Sequence, residues 1–579
     1  MFMHARGMEA VIMILPDRWG QGQLFAFSAL DGNALASDDF PGMLCGDRVG
    51  VRFFSHVRRE LAIVPLCGPG LTYDAVTGDC ILFGFPGQER MRILYARPHL
   101  IIGNTAGCAM PAVFVEGACR QECDGDAEIH DTLDGDFTAL VRCGSRFAFA
   151  FGHTREETVQ LAREGLSLSL EEEEARKLAW YSRHGVSDSH PYARLYAKCL
   201  SVMKTQLYAP EEAFIGIWST PDRLPHQHMW LWDSIFHAVG FRHVDAGLAQ
   251  ELIRAVWAHQ RPDGFIPHMA DVGQTSNITQ PPVIAWGAWQ VFSFTRDEAF
   301  LREVYAHNAR FLAWCRDSRR LTARELYTWN TTSDVNCRCD ESGMDNSPRF
   351  DVQGPLAAID FSCYMANDVR HMALMARALG LEAEADRYDG WFRQIRDDIN
   401  ALLWSEEDGF YFDYNLSCGS LHRVWSVASF LPLFAGVCPP DRAERLAEHL
   451  QDPASFATPF PIPSISRKDP AFGTDMWRGP VWLNMNHMIC QGLRSYGYVA
   501  LAEDILTRTV RCADRWYRDD GVIYEFYDSS NLRAPSRLNR KGTPFEPYHI
   551  DIRLQAIRDY GWSSTLLVDM LRQLYPDNR

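Results

Sequence analysis

The hydrophobic rhythm of the chain changes once, near residues 171–174, and that change constrains the fold more than any single motif. From about residue 8 to 165, short apolar stretches alternate with Gly, Pro, Asp and Asn. Examples are Val49-Gly-Val-Arg-Phe-Phe, Leu61-Ala-Ile-Val-Pro-Leu, Cys80-Ile-Leu-Phe-Gly-Phe, Met91-Arg-Ile-Leu-Tyr and Phe147-Ala-Phe-Ala-Phe. β-Branched and aromatic residues suit a pleated surface, and frequent turn residues predict many short strands, which reads as a β-sandwich. From Pro191 onward the spacing becomes helical. Leu248, Leu252 and Val256 repeat every four residues until Arg261-Pro-Asp-Gly264, and Val369, Met372, Met375, Ala376 and Leu379 run to Gly380. Leu381, Ala385, Tyr388, Trp391, Phe392, Ile395, Ile399 and Leu402 continue the pattern in a further helix. There is no parallel βαβ rhythm and no short repeat. The expected organisation is mainly α: a β-sandwich over 1–168, a helical linker over 169–189 and a helical domain over 190–579. The acidic run 171–174 reads as a solvated helix face.

Composition removes several classes of function. A formal charge of −17 over 579 residues, with no basic run of five, argues against a nucleic-acid partner. No run of eighteen apolar residues predicts a membrane span, and the apolar stretch 10–15 has no small-residue cleavage site after it. Sixteen scattered Cys without an export signal read as reduced thiols, so the expected location is cytoplasmic. Cys337-Arg-Cys339 and Cys119-Arg-Gln-Glu-Cys123 lack a second pair for zinc. His226 and His228 are too few for a metal site, and loop carboxylates such as Asp334 and Asp340 leave a structural calcium open, although their spacing is not that of an EF-hand. No metal or cofactor is expected. No phosphate-cradling loop, His-Glu-x-x-His or Gly-x-Ser-x-Gly is present.

Three separated segments each set a carboxylate among aromatic or turn residues. In Glu341-Ser-Gly-Met-Asp345-Asn-Ser-Pro-Arg349 a turn at Gly343 and a stop at Pro348 make a stiff mount for Asp345. The alternative is a cap for a helix starting near Asp351. Asp233 lies between Trp230 and Trp232 at a helix start, where sugar hydroxyls or first-turn amides would satisfy it. Glu525 sits in 521–528, which alternates like a strand, so it is either a water-activating base or a solvent-facing residue. Asp475, Trp477, Arg478, Trp482, Asn484, Asn486 and His487 crowd another helix start, and Gln280 to Trp286 and Asp408 to Asp413 are weaker polar-aromatic stretches. Two carboxylates in different surroundings are what glycoside hydrolysis requires, one donating to the leaving oxygen and one activating water. Aromatic faces beside them suit the apolar faces of a sugar ring.

The ordered set of Trp232-Asp-Ser, Gln280-Pro-Pro, Glu341-Ser-Gly-x-Asp, Trp477-Arg-Gly-Pro-x-Trp482, Glu525-x-Tyr-Asp and Gly561-Trp562-Ser-Ser resembles glycoside hydrolase family 63. Its relatives include trehalases and the mannosylglycerate and glucosylglycerate hydrolases, and the resemblance spans roughly 190–575. It implies an (α/α)6 barrel and an inverting mechanism, with Asp345 as general acid, Glu525 as general base, and Trp232 and Asp233 in the sugar subsite. The expectation is an inverting exo-α-glycosidase, an α-glucosidase acting on an α-glucosyl oligosaccharide or a small glucoside. Trp230, Gln280, Trp286, Glu341, Arg349, Trp477, Arg478, Trp482 and Trp562 complete the expected substrate site. The alternative is a glucosylglycerate or mannosylglycerate hydrolase, with Arg349 or Arg553 on the glycerate carboxylate. A non-enzymatic sugar-binding protein is disfavoured, because both carboxylates are present. Residues 541–560, with Asp551, Arg553 and Arg558, are longer than the family pattern, and this stretch is expected to cover the pocket mouth and alter substrate choice.

Overall fold

The computed structural model describes residues 14–576, apart from 55–58, 64–71, 85–86, 88, 106–110, 134, 321–322, 333–336, 353 and 542–555. Asp334, Asp551 and Arg553 therefore lie outside the described residues.

The N-terminal part is built from antiparallel strands β1 (Leu24–Phe25), β2 (Gly42–Leu44), β3 (Gly50–Phe53), β4 (Arg59–Ile63), β5 (Thr72–Val76), β6 (Cys80–Gly84), β7 (Met91–Arg97), β8 (Leu100–Asn104), β9 (Pro111–Val115), β10 (Arg120–Asp124), β11 (Ala127–Asp131), β12 (Phe137–Cys143) and β13 (Arg146–Gly152). One sheet has the order β1-β2-β3-β4-β9 and the other β10-β11-β12-β13-β8-β7-β6-β5. β13 shows why they layer. Its alternation sends Phe147, Phe149 and Phe151 to one face, where they join Phe25, Phe53 and Leu61 of the smaller sheet in one core. Phe53 and Phe149 lie 5.8 Å apart, ring centre to ring centre. Ala148 and Ala150 point to the other face, and their small size leaves room for Val159 and Ala162 of α1 (Arg155–Gly165).

Helix α1 replaces the last stretch of the expected β pattern. Thr154 caps it by accepting from the Glu157 amide, and an apolar stripe seats it on the sheet. In α2 (Leu170–His184) the acidic run is only partly solvated. Glu174 turns inward and accepts from Arg92 at 2.6 Å and Arg90 at 2.8 Å.

The remaining helices are α3 (Ala193–Thr205), α4 (Leu231–Phe241), α5 (Ala246–Val256), α6 (Ile284–Thr295), α7 (Glu298–Arg319), α8 (Ile359–Ala378), α9 (Glu382–Leu402), α10 (Leu431–Ala435), α11 (Pro440–Gln451), α12 (Leu483–Ser495), α13 (Val499–Asp520) and α14 (Gly561–Leu574). α4 packs on α6, α6 on α8, α8 on α10, α10 on α12 and α12 on α14, and α14 returns to α4. The even-numbered helices thus close a ring, while α5, α7, α9 and α13 pack outside their even-numbered neighbours. Burial follows this order. Every residue of α4 is buried, whereas α9 and α13 bury one stripe. Gly240 permits the α4–α14 contact, since a Cβ there would stand 2.5 Å from the Thr565 backbone oxygen. Among the described residues no helix is long and apolar enough to cross a membrane.

Segment 521–528 is not the expected strand. It makes isolated bridges at Tyr524 and Tyr527, to Arg558 and Val481, and all of 522–528 is buried. Its alternation therefore separates two buried environments rather than core from solvent.

The sheets and the helices are joined by buried charge. Lys204 of α3 lies 2.6 Å from Asp79 and 3.0 Å from Asp31, and Lys177 of α2 lies 2.5 Å from Asp31. These ammonium groups hold the Asp79 carboxyl well below the usual carboxylate range despite full burial. Asp559 makes a second junction. It accepts from the Leu24 amide of β1 at 3.1 Å, from the Ile523 amide at 3.2 Å and from Lys198 at 2.8 Å.

Candidate active site

Each segment that leads into an inner helix, except the one before α10, contributes to a single cavity of about 340 Å³. His226, Trp230, Trp232 and Asp233 come from the start of α4, His268, Met269 and Gln280 from the approach to α6, and Asp340, Gly343 and Asp345 from the approach to α8. Met476 and Trp482 precede α12, and Glu525, Arg540, Lys541, Tyr560 and Trp562 surround the entry to α14. A closed ring of helices points its N-termini at one place, and the segments before them bring distant residues together there.

The aromatic wall is a set of rings in mutual contact. Trp562 meets Trp232 edge to face at 5.1 Å and also contacts Tyr560 at 5.1 Å and Trp482 at 5.7 Å. Gly343 has φ +70°, and a Cβ there would fall 2.3 Å from the Trp232 ring. The turn that carries Asp345 can therefore approach the wall only with glycine at this position. Gln280 fixes the other side by accepting from the Trp232 amide at 3.2 Å.

Glu525 is almost wholly buried and is held by a two-pronged contact with Arg540, at 2.8 Å from Nε and 3.0 Å from Nη2. The Ile557 amide adds a third donor at 3.3 Å. Asp233 is 2 % exposed and accepts from the Tyr560 hydroxyl at 3.4 Å. Burial pushes its carboxyl well above the usual carboxylate range, and the neighbouring Glu525 charge adds to the effect. Burial likewise lowers the His268 imidazole to about 4, so it stands neutral beside the cavity.

Asp345 caps no helix, because α8 begins only at Ile359 and a separate short turn occupies Pro348–Phe350. Its carboxylate meets Lys541 Nζ at 2.5 Å. Lys541 Nζ also lies 3.1 Å from Cys337 Sγ and 3.8 Å from Asp340. Cys337, Asp340 and Asp345 offer ligand-type atoms within 4.8 Å of one another, and the ammonium of Lys541 is the cation they face.

Of the expected site residues, Trp230, Trp232, Asp233, Gln280, Asp345, Trp482, Glu525 and Trp562 line the cavity. Trp286, Glu341, Arg349, Trp477 and Arg478 do not. Arg349 is buried and saturated, by Asp360 at 2.6 and 2.8 Å and by Asp413 with two contacts at 2.8 Å, so it has no donor to offer a ligand. Glu341 holds Arg319 and accepts the amides of Thr279 and Asn330, which fixes the Gln280 segment from behind. Trp477 stacks flat on Trp482 at 4.0 Å, Arg478 pairs with Asp351, and Trp286 donates to Gln491 inside the ring. His268, Met269, Met476 and Arg540 are cavity residues that sequence reasoning missed, and Lys541 and Tyr560 bound the stretch expected at the pocket mouth without being singled out themselves. For Tyr560, adjacency to the Gly561-Trp-Ser-Ser motif was the available signal.

Comparison with known families gives a decisive match. Residues 226–563 match the mannosylglycerate hydrolase MGH1-like glycoside hydrolase domain, which is more than half of the chain and includes every residue named around the cavity. The chain belongs to this family. It is a glycoside hydrolase related to glycoside hydrolase family 63. Mannosylglycerate hydrolase of Thermus thermophilus is 30% identical over 392 residues, 54% of this chain and 91% of that protein. A probable mannosyl-oligosaccharide glucosidase of Schizosaccharomyces pombe is 26% identical over 40% of this chain and 32% of its own length. Among solved structures, a family 63 mannosylglycerate hydrolase from Thermus thermophilus, in complex with Tris and D-glycerate, superposes with a TM-score of 0.52. It shares 23% identity and covers 65% of this chain and 99% of its own. A bacterial glucoamylase complexed with acarbose reaches a TM-score of 0.58 at 11% identity over 96% of this chain and 95% of its own, so the shared fold includes the N-terminal sheets.

Proposed function

We propose that this family member is an inverting, exo-acting α-glycosidase, most simply an α-glucosidase, working from an (α/α)6 barrel over 190–579 that follows a β-sandwich over 1–168 and a linker over 169–189. The observation that carries the reading is that, among the four carboxyl groups of one cavity, Glu525 under a buried guanidinium and Asp345 at the more open side stand in unlike settings. In this mechanism Asp345 protonates the leaving oxygen. Glu525 takes a proton from water that attacks the opposite face of the sugar carbon, so the product has the inverted anomeric configuration. Asp233 and the Trp232–Trp562 wall hold the non-reducing sugar, the carboxyl bonding hydroxyls and the rings covering the apolar face. A volume near the lower end for small-molecule sites favours one sugar and a small aglycone.

A second reading, a glycosylglycerate hydrolase, is favoured by one observation: Lys541 puts an ammonium in the cavity beside the acid, where an aglycone carboxylate would sit. Arg349, the cation first considered for that carboxylate, is fully engaged elsewhere. Incubation with α-linked disaccharides and with glucosyl- and mannosylglycerate, with the released anomer followed by NMR, tests both readings. Release of the β-sugar supports inversion. Release of the α-sugar, or no release from any α-linked substrate, refutes the proposal.

A further inference from the structure

Arg540 and Lys541 are consecutive, yet each reaches a different carboxylate of the cavity. The backbone that presents them is fixed next to Asp345. The Lys541 amide donates to Asp475 at 2.9 Å, Asn346 donates to the same Asp475 oxygen at 3.0 Å, and Asn346 accepts from the Trp477 amide. Lys541 itself has φ +54°, a left-handed conformation that turns its side chain away from that of Arg540.

The two contacts differ in permanence. The Arg540 and Glu525 side chains are 3 % and 2 % exposed and share two hydrogen bonds, so separating them strands two buried charges. The Lys541 and Asp345 side chains are 21 % and 15 % exposed and share one contact, and the same ammonium already lies 3.1 Å from Cys337 and 3.8 Å from Asp340. Lys541 meets only one oxygen of Asp345, so the other can carry the proton, but an ammonium at that distance favours the ionised carboxylate. The proton-donating form of a general acid is therefore favoured when the Lys541 contact opens.

We propose that Arg540 and Lys541 are positioning residues of opposite kind: Arg540 stays on Glu525 throughout the reaction, whereas Lys541 holds Asp345 only in the empty site and is displaced toward Asp340 and Cys337 as the aglycone side fills. This rests on Asp345 as acid and Glu525 as base. Other ionisable groups facing the pair are His268 on the Asp345 side and Asp233 and Tyr560 on the Glu525 side.

The test uses the full chain and two substrates with the same sugar, an alkyl glycoside that needs protonation and a glycosyl fluoride that hardly does. Lys541→Met removes a contact that aglycone binding must break. KM for the alkyl glycoside should fall about fivefold, and KM for the fluoride should stay within about twofold. Arg540→Met should lower kcat on both substrates alike by about tenfold or more, with partial recovery in Arg540→Lys. Because Arg540→Met strands the Glu525 charge, the Arg540→Met/Glu525→Gln double variant provides a folded control, and its kcat should match Glu525→Gln alone within about twofold. A rise in KM for both substrates in Lys541→Met, or an Arg540→Met loss confined to the alkyl glycoside, overturns the inference. Full activity in Glu525→Gln or Asp345→Asn instead refutes the underlying assignment, so the two failures are distinguishable.

Discussion

The two poles of the cavity solve one problem differently. At the Glu525 pole the charge is sealed: guanidinium, carboxylate and the Ile557 amide form a closed set with almost no exposure. At the Asp345 pole the charge is shared loosely among Lys541, Asp340 and Cys337 at the more open side. A base that activates water must keep one geometry, whereas an acid that meets varied leaving groups benefits from a partner it can exchange. The fold sets the difference, because Glu525 lies in a segment buried against α14 and Asp345 on a turn whose close approach depends on Gly343.

The sharpest way to break this comparison is to neutralise each pole in turn. Glu525→Gln should lose roughly 10²–10⁴ in kcat on every substrate, since water activation does not depend on the leaving group. Steady-state rates on a fluoride and an alkyl glycoside check this, and unequal losses would contradict the assigned base. Asp345→Asn should lose roughly 10² on the alkyl glycoside and much less on the fluoride. Equal losses on both would move Asp345 out of the acid role.

Asp233 sharpens the contrast, as a carboxyl at the sealed pole without a cation of its own. Its value in the fold is raised by burial, so the folded state holds a proton that the unfolded chain releases, and keeping this carboxyl buried costs stability as pH rises above the ordinary carboxylate range. Asp233→Asn should therefore melt at the same or a higher temperature at pH 7 while binding a sugar inhibitor about tenfold more weakly. A lower melting temperature with normal sugar binding would make Asp233 a structural cap.

The smallest expected effect belongs to His268 at the open pole. Its folded value, about 4, lies below the usual imidazole value, so its contribution is complete above about pH 6.5 and is lost as pH falls toward 4. Thermal melts should show up to about 3 kcal/mol less stability at pH 4 than at pH 7 from this group. His268→Gln should flatten that slope, and an unchanged slope would place the acid sensitivity elsewhere.

Much of the architecture was legible because it depends on local periodicity. Phe147-Ala-Phe-Ala-Phe announces a strand between two unlike layers, and the stripe from Ala385 to Ile399 announces α9. The cavity residues Trp232, Asp233, Asp345 and Glu525 stood out because they sit among aromatics and turn residues. Arg349 looked equally suitable beside Pro348. Its partner Asp413, however, is 64 positions away, and no local pattern shows that the guanidinium is already satisfied. Arg540 and Lys541 failed to stand out for the converse reason. Two basic residues in a polar turn resemble solvated surface, and only the closure of the ring brings them onto Glu525 and Asp345.

The Lys–Asp junction between the sheets and α2 and α3 bears on modular exchange. A helical part cut free of the sheets would carry the ammonium groups of Lys177 and Lys204 without Asp31 and Asp79, the counter-charges that make their burial tolerable. It would also leave Asp559, which braces the Ile523 amide just ahead of Glu525, without its tie to Leu24. A chimera that grafts a foreign sheet module onto this helical ring must therefore import both aspartates in register, or replace both lysines with apolar residues of similar length, if the loop bearing Glu525 is to keep its place.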